Sequence, residues 1–216
     1  MKLALVNASP RGKKSNSGLL LKWLVRDLPA DAEKTLVCAV KAEDQKAAIG
    51  QIAGCDALVI AFPLYTDAMP GITKKFFENM MESKKSFSGK PVLFIIHSGF
   101  PEAVQSRMAE RYVRYFAGLM DMHPAECLII GGTEAMRFAP EEAFGKRANA
   151  LAALGKKFVA GQVLTESDLH MPGHREKFPR AVMGLFNVIA PLTDVFWNQL
   201  LKKNGAFKKR FDRPYQ

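Results

Sequence analysis

Between Ser9 and Ser17 the chain reads SPRGKKSNS, and this stretch concentrates Ser9, Arg11, Ser15, Asn16 and Ser17 between an apolar run and a helix-patterned one. Hydroxyls, a guanidinium and the N–H groups of a helix start together suit a terminal phosphate monoester, which needs many donors around one anionic group. A second reading needs no ligand: Ser15 or Ser17 caps the helix and the rest is exposed loop. Capping accounts for one serine, not for the cluster. Two common phosphate loops do not fit. Lys14 stands where a Walker A loop needs Ser or Thr, Asn7 stands where it needs its first glycine, and Gly12 and Gly18 are wrongly spaced for GxGxxG.

Two later stretches carry further candidates. In PLYTDAMPG, Pro63 and Pro70 stiffen a segment holding Tyr65, a composition that suits the flank of a planar ligand or a merely surface-packed ring. In HSGFPE, Ser98, Gly99 and Phe100 follow His97, and the glycine permits either close backbone approach or a simple turn. His97 has the chemistry to donate a proton, although an ordinary hydrogen-bonded histidine at a strand end is the commoner role.

These stretches need elements to position them. Leu3–Asn7, Thr35–Val40, Ala57–Phe62, Val92–His97 and Cys127–Ile130 are short, unalternating apolar runs, the pattern of strands buried on both faces. Helices are predicted over Ser17–Leu28, Asp44–Ala53, Ile72–Glu82, Pro101–Met122 and Glu141–Leu164. The alternation predicts an α/β fold, a doubly wound five-stranded parallel sheet. With strand order 2-1-3-4-5, the loops after strands one and three become neighbours at the switch point where such sheets bind ligands.

Residues 165–216 depart from this plan. A polar loop with Pro172, Gly173 and Pro179 leads to an apolar stretch, Ala181–Leu201, broken by Pro191 and followed by a basic end. We therefore expect one domain over residues 1–164 and a helical extension over 165–216. From Arg175 onward nine basic residues face three acidic ones, so +6 of the net +10 lies in the last fifth of the chain. A basic amphipathic end with Phe186, Phe196 and Trp197 fits packing between two copies, and also a weak contact with an anionic membrane surface. The basic residues form no nucleic-acid recognition module. Three widely spaced cysteines, Cys38, Cys55 and Cys127, argue against a disulfide framework or zinc site, and no metal site is expected. The first apolar run is too short for a signal peptide, so a cytoplasmic location is expected.

Taken in order, SPRGKKSNS, PLYTDAMPG, HSGFPE and the pair Gly131–Gly132 resemble the flavodoxin-like NAD(P)H-dependent FMN reductases, which include small quinone, azo-dye and flavin reductases. The resemblance extends from Met1 to Leu164. It implies that Ser9, Arg11, Ser15, Asn16 and Ser17 hold the FMN phosphate. Pro63, Leu64 and Tyr65 would line the isoalloxazine, Ser98, Gly99 and Phe100 its pyrimidine side, and Met69 would join the same cofactor set. It further implies hydride transfer from NADH or NADPH, through FMN, to a small acceptor such as a quinone, nitro compound or flavin, without a dedicated catalytic acid–base residue. Homodimers are expected. The alternatives are a flavodoxin-like electron carrier and a non-enzymatic flavin-binding protein whose tail binds a membrane or partner.

Overall fold

The computed structural model describes residues 1–137, 139–179, 195 and 197–213. They fall into two compact units, Met1–Glu176 and Lys177–Gln216.

In the first unit five strands, β1 (Leu3–Asn7), β2 (Lys34–Cys38), β3 (Ala57–Pro63), β4 (Val92–His97) and β5 (Ala125–Ile130), form one sheet in the order β2-β1-β3-β4-β5. Every pairing is parallel. β1, β3 and β4 are buried along their whole length, which is why they read as continuous apolar runs. β2 lies at the edge, and its Leu36 is exposed.

Alternate residues serve the two faces. Leu3, Leu5, Val59, Ala61, Leu93 and Ile95 point into a core with Leu20 and Leu24 of α1 (Asn16–Leu24) and Leu151, Leu154 and Phe158 of α5 (Gly145–Val159). Val6, Ile60, Phe62, Phe94 and Ile96 point the other way, against α2 (Gln45–Ala53), α3 (Gly71–Met81) and α4 (Arg107–Leu119). Phe77 is the hub of that second core, with Phe116 at 4.6 Å and Phe62 and Phe94 near 6 Å between ring centroids. Each fully buried side chain of this kind contributes about 2–3 kcal/mol.

Several boundaries differ from those expected. β2 ends at Cys38 rather than Val40, and β5 begins at Ala125 rather than Cys127. α1 ends at Leu24, not Leu28, because the bonds tighten there: Arg26 N–H donates to Trp23 O and Leu28 N–H to Val25 O. The apolar spacing continues past the helix end, since Val25 and Leu28 still pack on the core. α4 begins at Arg107, not Pro101: Ala103–Ser106 form a 3-10 turn before it, and the N–H groups of Ala103 and Val104, free at such a start, are taken by the carbonyls of Arg175 and Glu176. α5 starts after a 3-10 turn at Glu141–Phe144 and stops at Val159. The expected loop after Leu164 contains a short helix, α6 (Glu166–Leu169), closed by a capping box between Thr165 and Asp168.

In the second unit residues 197–203 are helical, followed by a 3-10 turn at Phe207–Lys209. Arg210 lies over the rings of Phe207 and Phe211, at 3.9 and 4.6 Å from their centroids. Most of the expected apolar helix Ala181–Leu201, including Phe186 and Phe196, lies outside the described residues. Among the described residues no helix is long and apolar enough to cross a membrane.

Candidate functional site

The carboxyl end of β1 organises its own loop through one buried side chain. Asn7 donates from Nδ2 to Gly12 O at 2.8 Å and to Ser15 Oγ at 3.0 Å, and its Oδ1 accepts from Ser9 N–H at 3.1 Å. Gly12, at φ +55°, makes the turn a side chain would resist. Ser15 is the helix cap: its Oγ accepts from Gly18 N–H at 3.1 Å and donates to Gly12 O at 2.6 Å. With Asn7 also donating to it, that hydroxyl is fully committed within the loop.

What remains faces a cleft of about 430 Å³ beyond the strand ends. Ser9, Arg11, Ser15 and Asn16 line it from the β1 side, Pro63, Leu64 and Tyr65 from the β3 side, and Ser98 and Gly99 from the β4 side. Arg11 is exposed and has no ion-pair partner among the described residues. The N–H groups of Asn16 and Ser17 open α1 without a partner among the described residues, and Asn16, which lines the cleft, brings the positive end of the helix to it. Ser9 Oγ accepts from Arg11 N–H at 3.3 Å and keeps its own hydrogen to donate.

Three expected residues are not on the cleft wall. Ser17 is fully buried, and its Oγ meets His97 Nε2 at 2.7 Å. Met69 is half-buried against the α2–α4 core. Phe100 is 53% exposed and contributes only its carbonyl, which accepts from Gly132 N–H at 2.8 Å and Ser98 Oγ at 2.9 Å.

His97, Thr133 and Glu134 complete the lining. Thr133 and Glu134 directly follow Gly131–Gly132 at the carboxyl end of β5, so extending the strand-end rule to the fifth strand would have found them. Gly131 is required by close approach: a Cβ there would stand 2.5 Å from Pro101 O.

Beyond β3 the chain makes a two-residue reversal. Tyr65 N–H donates to Ala68 O at 2.7 Å, Ala68 N–H returns to Tyr65 O at 3.2 Å, and the central Thr66 and Asp67 sit at φ +49° and +61°. Neither is glycine, and a β-branched residue there costs on the order of 1–2 kcal/mol. The turn displays the Tyr65 ring, 46% exposed, at the cleft edge.

His97 is buried, and desolvation pushes its imidazole down to about 3. Nδ1 lies 3.1 Å from Thr133 Oγ1, whose hydroxyl donates to Ser98 O at 2.9 Å. Thr133 can therefore only accept from the ring, which places the proton on Nδ1 and leaves Nε2 to accept from Ser17. Both nitrogens of the neutral ring are satisfied. Among the described residues no group of three or more His, Cys, Asp or Glu side chains is arranged to hold a metal ion.

A family model described as "Flavodoxin-like fold" matches residues 1–157. The chain belongs to this flavodoxin-like family. No curated protein is significantly similar to the flavodoxin-like chain in sequence. Among solved structures it is similar to Trp repressor binding protein from Bacillus subtilis, at 20% identity and TM-score 0.54, covering 70% of this chain and 96% of that one. It is also similar to an FMN-dependent NADH-azoreductase from Bacillus anthracis in complex with FMN, at 14% identity and TM-score 0.56, covering 73% and 99%. A third is an NADPH-quinone reductase from P. pentosaceus, at 16% identity and TM-score 0.53, covering 73% and 97%. Likeness at these identities establishes the fold.

Proposed function

We propose that the flavodoxin-like chain is an FMN-dependent oxidoreductase that passes hydride from NADH or NADPH, by way of bound FMN, to a small acceptor such as a quinone, nitro compound or flavin. The observation that carries this reading is the pairing of two unlike walls in one cleft. One wall presents the N–H of Asn16 at the start of α1, the Ser9 hydroxyl and the Arg11 guanidinium, a donor set for a phosphate. The other presents Pro63, Leu64, the Tyr65 ring and the Ser98–Gly99 backbone, a flat and partly apolar surface for a ring system. The azoreductase and quinone reductase with the same fold support the assignment to redox chemistry.

FMN, when bound, would supply the hydride-accepting and hydride-donating centre. The protein's work is then binding and orientation. The β1–α1 loop would fix the phosphate, Tyr65 on its strained turn would hold one edge of the ring, and the loop after β4 would offer backbone groups to its polar edge. His97 supplies no proton, because its ring is neutral with both nitrogens engaged.

Protein purified without added flavin is expected to be yellow, to release FMN on denaturation, and to bleach anaerobically with NADH or NADPH. A colourless protein that also fails to take up added FMN would sink the proposal. Uptake without bleaching would instead indicate an electron carrier. Arg11→Ala should weaken FMN binding by about tenfold, the loss of one exposed charge-assisted bond, measured by flavin fluorescence titration.

The second unit, with Trp197 and Phe211 exposed, is assigned to packing between two copies of the chain. Deleting Lys202–Gln216 should lower the mass measured by light scattering from dimer to monomer while FMN still binds. An unchanged dimer would count against this role, and loss of vesicle binding on deletion would point to the membrane alternative.

A further inference from the structure

We infer that His97 is a positioning residue that couples the two walls of the cleft, holding the first turn of α1 in register with the loop after β4. This rests on the FMN reading above. Most ties within Ser9–Ser17 are local: Asn7, Gly12, Ser15 and Gly18 bond one another. Among the described residues two hydrogen bonds leave the loop for the far wall, Asn16 Nδ2 to Thr133 O at 2.7 Å and Ser17 Oγ to His97 Nε2 at 2.7 Å. Apolar packing of Leu20 and Leu24 presses α1 on the sheet, but such contacts are non-directional. The directional bonds set where the N–H of Asn16 points into the cleft.

The imidazole suits this place because the link must accept at one end and donate at the other. β4 puts His97 beside Pro63 and Ile130, at the end of the strand between both walls. From there the bonds run one way, from Ser17 O–H to Nε2, from Nδ1–H to Thr133 Oγ1, and from Thr133 O–H to Ser98 O. Thr133 also donates its N–H to Ser98 O at 2.9 Å, so the far end of the chain is the backbone of the ring-side loop itself. Ser17, fully buried, thus acts on a ligand by anchoring the first turn of α1 to His97, not through its hydroxyl.

The test compares FMN with riboflavin, which lacks the phosphate. Apoprotein is titrated with each by fluorescence quenching, for wild type, Ser17→Ala, His97→Asn, their double variant and His97→Gln. Misdirected phosphate donors should weaken FMN about tenfold in Ser17→Ala and in His97→Asn, with riboflavin affinity held within about twofold. The double variant should be no worse than either single one, since both break one link. His97→Gln, whose amide oxygen reaches the place of Nε2, should recover part of the loss.

Unchanged FMN affinity in Ser17→Ala would overturn the proposal, and so would equal weakening of both flavins, the mark of general packing damage. Additive losses in the double variant would do the same. If His97→Asn fails to fold, Ser17→Ala still decides. A wild-type protein that binds neither flavin would overturn the underlying cofactor reading and this inference with it.

Discussion

Gly155→Ala is expected to destabilise the protein by about 3 kcal/mol, although alanine is the better helix former. Gly155 sits inside α5 and is buried, and a Cβ built on it would lie 2.0 Å from Leu24 O and 3.0 Å from Leu24 C. Both are backbone atoms at the last residue of α1, so no rotamer change relieves the clash. The two helices must move apart, unpacking Leu24, Leu151 and Leu154 from their shared core. Helix propensity favours the substitution by about 1 kcal/mol, and steric overlap outweighs it. Gly50, exposed inside α2 with nothing within 4 Å of its missing Cβ, is the control. Gly50→Ala should stabilise by up to about 1 kcal/mol. Urea unfolding of both variants checks the pair, and a Gly155→Ala protein as stable as wild type would refute the close-approach argument.

The same glycines mark what the sequence made legible. The sheet was readable because parallel strands buried on both faces leave unbroken apolar runs, as ALVIAF and VLFIIH do at β3 and β4. The order β2-β1-β3-β4-β5 brought the loops after β1 and β3 together as expected. Helix ends were less legible. Apolar spacing persists through Val25 and Leu28 after the backbone has left the α-helix, and nothing local announces that Ala103–Ser106 wind as a 3-10 turn before α4. Gly155 stands in a helix-patterned stretch, and only the approach of Leu24 explains it.

The cleft divides the same way. Nine expected residues reach its wall because loops at adjacent strand ends converge whatever their detailed shape. Ser15 and Ser17 show the limit: a serine's type advertises a hydroxyl but not its partner. Ser15 is engaged by Asn7, Gly12 and Gly18, and Ser17 by a histidine 80 positions away. The left-handed Thr66 and Asp67 were equally hidden, since that conformation is usually written with glycine or asparagine. Both surprises lie beside the proposed cofactor site, where local preference and global fold are expected to conflict.

Acid should weaken the protein well before its carboxylates protonate. His97 is held neutral in the fold, down to about 3, while an unfolded histidine protonates near 6.5. In the interval the unfolded chain binds the extra proton, so stability rises with pH. The contribution is therefore complete above about pH 6.5 and is lost as pH falls toward 3, at about 1.4 kcal/mol per pH unit. Between pH 6.5 and 5 the loss should reach about 2 kcal/mol, a large share of a typical 5–15 kcal/mol. The carboxylates held low by their partners, such as Glu141 beside Trp23 and Lys22, act in a separate window, losing their share only below about 4.5. His174, lowered first by burial and then by His170 and Arg107, adds to the slope below pH 6.5 in the same direction as His97. His97→Asn separates the two imidazoles. Its urea midpoints, converted to free energies at pH 5.0, 5.5, 6.0 and 6.5, should fall less steeply than those of wild type, and an equal slope would refute the assignment. At pH 7.5 the variant should be the less stable protein, because the links to Ser17 and Thr133 are cut or bent. The gap should close on acidification, since only the wild type has a buried imidazole whose neutrality must be maintained against the proton.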